Sequence, residues 1–272
     1  MPSITSSDDV DLHYLEWGDP SARTVVLIAG FKAAATSWRY QVKPLERAGL
    51  RVIAFDRRGH GRSGVGPADG HTMRRHGADI RDLLESLDLH DATLVGQSMG
   101  ANSIWAMLRA TPDAAARVRD VVTVDQTPKM LNDDDWAHGF YDYDATNRDT
   151  FFATGIPDPG RFPAKAKGLV RIARILRAME LPKGGKPTFT AAELELLHDH
   201  AIADWRSTIA ATSVPTLFVA GAESEFWPSA HAAASAALNS LASSTVIAHD
   251  GHAANIEQPA RFNDELLAFL AR

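Results

Sequence analysis

Gly96-Gln97-Ser98-Met99-Gly100 sets one hydroxyl between two glycines, and its surroundings say what that hydroxyl can do. Thr93–Gly96 reads as a strand and Ala101–Arg109 as a helix, so Ser98 falls on a strand-to-helix turn. Such a turn strains the serine backbone and projects its hydroxyl above the sheet. A side chain at either glycine would collide with the neighbouring strand or helix. A serine hydroxyl becomes a useful nucleophile only when an imidazole takes its proton. His252, in Asp250-Gly251-His252, has the setting for that base: it follows the last predicted strand and precedes a C-terminal helix. Its loop then lies at the carboxyl edge of the sheet, where open α/β sheets bind ligands. His249 is the rival. His60 reads as a turn brace, and His71, His76, His198 and His200 as surface or packing residues.

The elements that must position these residues follow from patterning. Thr24–Ala29, Arg51–Asp56, Thr93–Gly96, Val121–Asp125, Thr216–Ala220 and Ser244–Ala248 read as strands, several of them continuous Val/Ile/Leu runs. Leu12–Trp17 alternates and fits an early antiparallel hairpin. Arg75–Leu87, Ala101–Arg109 and Arg261–Leu270 have helical periodicity, the last with Phe262, Leu266 and Leu270 toward the sheet. This alternation predicts an α/β architecture, a mostly parallel sheet flanked by helices. Residues 127–213 break the rhythm and read as an inserted helical cap on a core of 1–126 and 214–272. Within it Leu169, Ile172, Leu176 and Met179 form an apolar stripe, Arg171, Arg174 and Arg177 a solvated face, and Pro182–Pro187 a connector. The acidic run Asn132-Asp133-Asp134-Asp135 lacks calcium-loop spacing and reads as a helix N-terminal cluster.

Composition narrows the classes. The 272 residues suffice for one sizeable domain with an insertion. A net charge of −6 argues against a nucleic-acid partner. Cysteine is absent, which removes disulfides, thiolate metal sites and cysteine nucleophiles. No run approaches the roughly 20 apolar residues of a membrane span. The residues 1–9 lack the basic start and apolar run of a secretion signal, so a cytoplasmic protein is expected.

Together, Gly30-Phe31, Arg58-Gly59-His60-Gly61-Arg62-Ser63, Gly96-Gln97-Ser98-Met99-Gly100 and Gly251-His252 resemble the α/β-hydrolase superfamily. The nearest branch is that of small serine esterases and cofactor-free haloperoxidases (perhydrolases). The resemblance implies an oxyanion hole built from the backbone N–H groups of Phe31 and Met99. It also exposes two departures. Most relatives carry His-Gly where this chain has Ala29-Gly30, so another group must support the oxyanion loop. The usual catalytic aspartate position, in Gly221-Ala222-Glu223-Ser224-Glu225, holds Ser224. Asp125, at the end of the strand after the nucleophile helix, is the first candidate for the acid, with Glu223 or Glu225 second; a turn cap is the other reading of Asp125.

These readings predict hydrolysis of a small carboxylic ester or lactone through acyl-Ser98, with His252 as base and neither cofactor nor metal. Trp136, Phe140 and Phe152 are expected to line the substrate pocket, from an insertion that also holds Tyr141, Phe151 and Trp205. The alternative is cofactor-independent dioxygenation of a heteroaromatic substrate by a His252–Asp125 dyad. A non-catalytic binding protein on this fold is the third possibility.

Overall fold

The computed structural model describes residues 2–67, 70–163, 167–179 and 188–272. Eight strands form one sheet: β1 (Ser3–Thr5), β2 (Asp11–Trp17), β3 (Thr24–Ile28), β4 (Arg51–Phe55), β5 (Ala92–Gln97), β6 (Val118–Val124), β7 (Thr216–Gly221) and β8 (Ala242–Ile247). Their order is β1-β2-β4-β3-β5-β6-β7-β8. The pairs β1/β2 and β2/β4 are antiparallel and the rest parallel. The helices are α1 (Arg39–Arg47), α2 (Met73–Ser86), α3 (Met99–Ala110), α4 (Pro112–Ala115), α5 (Gly168–Met179), α6 (Ala191–Ile202), α7 (Arg206–Ala211), α8 (His231–Ala236), α9 (Ala254–Glu257) and α10 (Pro259–Leu270). The mostly parallel α/β architecture read from the sequence is the one observed.

Strand alternation divides the core. Val26 and Ile28 of β3 join Ile53, Leu94, Ile80, Leu83 and Ile104 on the face covered by α2 and α3. Val25 and Leu27 join Val52, Val95, Leu45, Phe262 and Leu266 on the face covered by α1 and α10. Because both faces are dry, β3 and β7 are buried at every position and read as unbroken apolar runs. Each fully buried Val, Leu, Ile or Phe is worth about 1.5–3 kcal/mol over its exposed state.

Among the described residues, no strand joins the sheet between Val124 and Thr216. Two expectations for this insertion are corrected. On α5 Leu169 is 86% exposed, and Val170 and Leu176 also face outward, while Arg171 is buried. The surface beneath is acidic: Arg171 pairs with Glu257 at 2.6 Å and Glu223 at 2.7 Å, and Arg174 donates to the Glu257 carbonyl. Ion pairing therefore decides which face turns inward, and only Arg177 of the three arginines is exposed. The acidic run 132–135 starts no helix. The Asn132 side chain instead ties turns together through the carbonyls of Phe140 and Tyr143, and Asp133 pairs with Lys129. The Pro182–Pro187 connector lies outside the described residues. No described helix is long and apolar enough to cross a membrane.

Candidate active site

Ser98 links β5 to α3 with φ 52° and ψ −130°, a conformation costly for any residue with a side chain. A Cβ on Gly96 would lie 2.5 Å from the Ala101 nitrogen, and one on Gly100 2.4 Å from the Ile28 carbonyl oxygen. Both glycines are thus required by close approach.

The loop between β8 and α9 carries His252. Its Nδ1 lies 2.8 Å from Oδ2 of Asp125, which stands directly after β6. Asp125 is fully buried, and its carboxylate also accepts the Ser224 hydroxyl at 2.6 Å and the Gly221 N–H at 2.9 Å. His231 Nε2 stands 3.6 Å from Oδ1. Burial alone would raise the Asp125 pKa, but the nearby His231 ring and the hydrogen bond from His252 outweigh it and hold the group well below the usual carboxylate range. Ser224, at the position where the family resemblance expects the acid, donates its hydroxyl to the Asp125 carboxylate at the end of β6.

The alternative acids point elsewhere. Glu223 is bound by Arg171 and lies 3.2 Å from Nδ1 of the exposed His249. Glu225 accepts the backbone N–H of His252 at 2.8 Å and pairs with Lys167 of the insertion. Neither meets the His252 ring.

Gln97 was not singled out from sequence. Its side-chain Nε2 donates to the His252 carbonyl at 3.1 Å and lies 3.3 Å from His252 Nε2. The carbonyl contact fixes the amide orientation, so the imidazole Nε2 is an acceptor and Nδ1 carries the proton given to Asp125. That is the tautomer a general base requires. The Gln97 amide, rather than the Ser98 hydroxyl, occupies the Nε2 lone pair in this geometry; such catalytic bonds commonly tighten only with substrate.

Behind Phe31 lies another residue unforeseen in the sequence. Arg57 is buried and donates to the carbonyls of Ala29 at 2.9 Å and Gly30 at 2.8 Å. His76 Nδ1 at 3.1 Å and His60 Nε2 at 3.2 Å complete its shell. Burial pulls the Arg57 pKa down to about 9, still protonated at neutral pH. Burial, and next the Arg57 charge, push both histidines well below their usual value, so they stand as neutral acceptors. His60 donates its other N–H to the Arg58 carbonyl at 2.8 Å, bracing the turn as expected. Arg57 thus supports the loop that lacks the usual histidine. The N–H groups of Phe31 and Met99 have no protein acceptor among the described residues.

Ser98 and His252 line one cavity of about 230 Å³ with Phe31, Met99, Phe140, Phe152, Phe226 and Trp227. Phe226 and Trp227 stand edge-on to the His252 ring at 4.5 and 5.2 Å between centroids. Trp136 is a correction. It is buried in the insertion, bonded through Nε1 to Thr127 and capped by Arg206, and does not line the cavity. His200, read as a surface or packing residue, does line it. Among the described residues, no group of three or more His, Asp or Glu is placed to hold a metal.

Asp250, at the start of the His252 loop, is fully buried with neither carboxyl oxygen hydrogen-bonded. Burial, with Glu257 and Asp125 adding repulsion, pushes its pKa up to about 9 from 3.8. Between those values the unfolded chain has released a proton that the folded chain retains, so stability falls as pH rises. Asp250→Asn is expected to raise the Tm by an amount that grows between about pH 5 and about pH 8, at roughly 2–4 °C per kcal/mol. Thermal melts at the two pH values check this, and an equal difference at both contradicts it.

The chain belongs to the α/β-hydrolase fold family, whose model matches residues 23–259. It stands on the haloperoxidase and esterase branch and is a hydrolase-fold enzyme by family. It is 30% identical to a non-heme chloroperoxidase of Streptomyces lividans, over 99% of each chain. A match to a non-heme chloroperoxidase of Burkholderia pyrrocinia is 35% identical but spans 48% of this chain and 47% of that protein. A solved bromoperoxidase structure from Bacillus anthracis shares the fold, with TM-score 0.79 at 24% identity over the whole of both chains.

Proposed function

We propose that the protein hydrolyses small, largely apolar carboxylic esters or lactones through an acyl-Ser98 intermediate. The observation that carries this reading is the pair His252–Asp125 at 2.8 Å, with His252 opening onto the same apolar cavity as the strained Ser98. Substrate entry displaces the Gln97 amide from His252 Nε2, and Ser98 Oγ takes its place. His252 accepts the hydroxyl proton as Oγ attacks the carbonyl carbon, and Asp125 stabilises the resulting imidazolium. The Phe31 and Met99 N–H groups bind the oxyanion. Collapse expels the alcohol, protonated by His252. Water, deprotonated by the same ring, then releases the acid and restores Ser98. Residues 127–213 act as a cap over a core of 1–126 and 214–272 and add Phe140 and Phe152 to the apolar walls around the acyl group.

The test is covalent. Brief reaction with p-nitrophenyl acetate followed by acid quench is expected to leave one acetyl group on the peptide carrying Ser98, and none in Ser98→Ala. Turnover with an adduct on another residue contradicts the assignment.

A second reading, cofactor-free oxygenation of a heteroaromatic, is favoured by one observation: the His252–Asp125 dyad is complete while Nε2 faces Gln97 rather than Ser98. It predicts oxygen uptake that survives Ser98→Ala and is lost in His252→Ala.

A further inference from the structure

The cavity has an open and a closed end. Ile156 is exposed and Phe31 and Met179 are half-buried at its mouth, whereas Phe140, Phe152, Leu197 and His200 are buried. Leu197 and His200 lie three residues apart on α6 and so share a helix face. Within this apolar wall His200 is an anomaly. It is 3% exposed, and neither ring nitrogen has a hydrogen-bond partner among the described residues. A buried polar group left unpaired is destabilising, and leucine or phenylalanine would fill the same wall without that cost. The ring is also neutral: burial first, then the Arg57 charge, pulls its pKa down to about 3. Nδ1 is sealed from solvent. An orphaned acceptor is better tolerated than an orphaned N–H, so the proton sits on Nε2, which offers the cavity a neutral donor.

Resting on the esterase reading, we propose that His200 is a recognition residue for a second, uncharged oxygen acceptor on the acyl part of the substrate, a keto, amide or ether oxygen. The acyl part is assigned to the closed end because the alcohol must leave first, through the mouth, while the acyl group stays on Ser98. A charged carboxylate is disfavoured there, since the apolar walls would strip its hydration and His200 carries no compensating charge. The natural substrates are therefore oxygen-bearing acyl esters or lactones rather than plain alkyl ones.

The test compares p-nitrophenyl hexanoate with its 4-oxo and 5-oxo analogues, each rate divided by that of hydroxide alone. Wild type is expected to prefer one oxo ester about tenfold in kcat/KM. His200→Leu erases the preference, and His200→Gln, which keeps a neutral N–H, restores part of it. The ratio is independent of the folded fraction, so partial misfolding of a variant does not obscure it. Hexanoate turnover by wild type with no oxo preference, or a preference that persists in His200→Leu, overturns the inference alone. No turnover of any of the three esters overturns the esterase reading, and this inference with it.

Discussion

Asp125→Asn is expected to lower kcat for ester hydrolysis about 10⁴-fold with little change in KM. On the proposed mechanism the carboxylate does two things that an amide cannot do together: it accepts the hydrogen bond of His252 Nδ1 at 2.8 Å, and it stabilises the charge the ring would acquire when Ser98 attacks. An asparagine in the same buried space can present its NH₂ to Nδ1, which drives the ring proton to Nε2 and removes the base. Glu223→Gln and Glu225→Gln are expected to stay within about tenfold of wild type, well short of the loss of a triad acid. Glu223 touches Arg171 and His249, and Glu225 holds only the backbone N–H of His252 and Lys167. Steady-state kinetics on the three variants check the ranking. Near-normal rates in Asp125→Asn with a collapse in either glutamine variant contradict it.

Arg57→Met is expected to cost about 10²–10³ in kcat, the range for losing one oxyanion-hole donor, again with KM nearly unchanged. The guanidinium bonds two consecutive carbonyls, Ala29 and Gly30, and so fixes the peptide that aims the Phe31 N–H. Its charge, buried behind that peptide, favours negative charge in the hole more than it favours the neutral ester. Ground-state binding in the apolar cavity does not use it, which separates kcat from KM. Arg57→Lys keeps the charge but cannot span both carbonyls, and recovers part of the rate. Thermal melts alongside the kinetics separate this from loss of fold. A folded Arg57→Met enzyme with wild-type kcat contradicts the role.

Much of this molecule is legible in the linear chain because its core strands are buried on both faces. β3, β4, β5 and β7 read as apolar runs for that reason, and the glycines around Ser98 mark an approach that only Gly permits. Asp125 was legible as a carboxylate at a strand end and Ser224 as a departure from the expected acid; that the two are hydrogen-bonded follows only from the neighbouring β6 and β7. Arg57 was hidden by its setting, one more basic residue before Arg58-Gly59-His60, with nothing local to say that the carbonyls it bonds lie in the loop after β3. Periodicity gives the α5 stripe but not its direction, and two glutamates from distant segments, Glu223 and Glu257, draw Arg171 and Arg174 inward. Trp136 and His200 exchanged expectations for the same reason: which aromatic or imidazole faces a cavity depends on how turns and helices of the insertion settle on the sheet.

The central claim is that Ser98 is the nucleophile, and the most direct measurement is p-nitrophenol release from p-nitrophenyl butyrate by wild type, Ser98→Ala and His252→Ala. Turnover by wild type, with losses of about 10⁴-fold or more in both variants, is the predicted result. Turnover that persists in Ser98→Ala contradicts it, and oxygen uptake on a heteroaromatic that survives Ser98→Ala but not His252→Ala would assign the His252–Asp125 pair to the other chemistry.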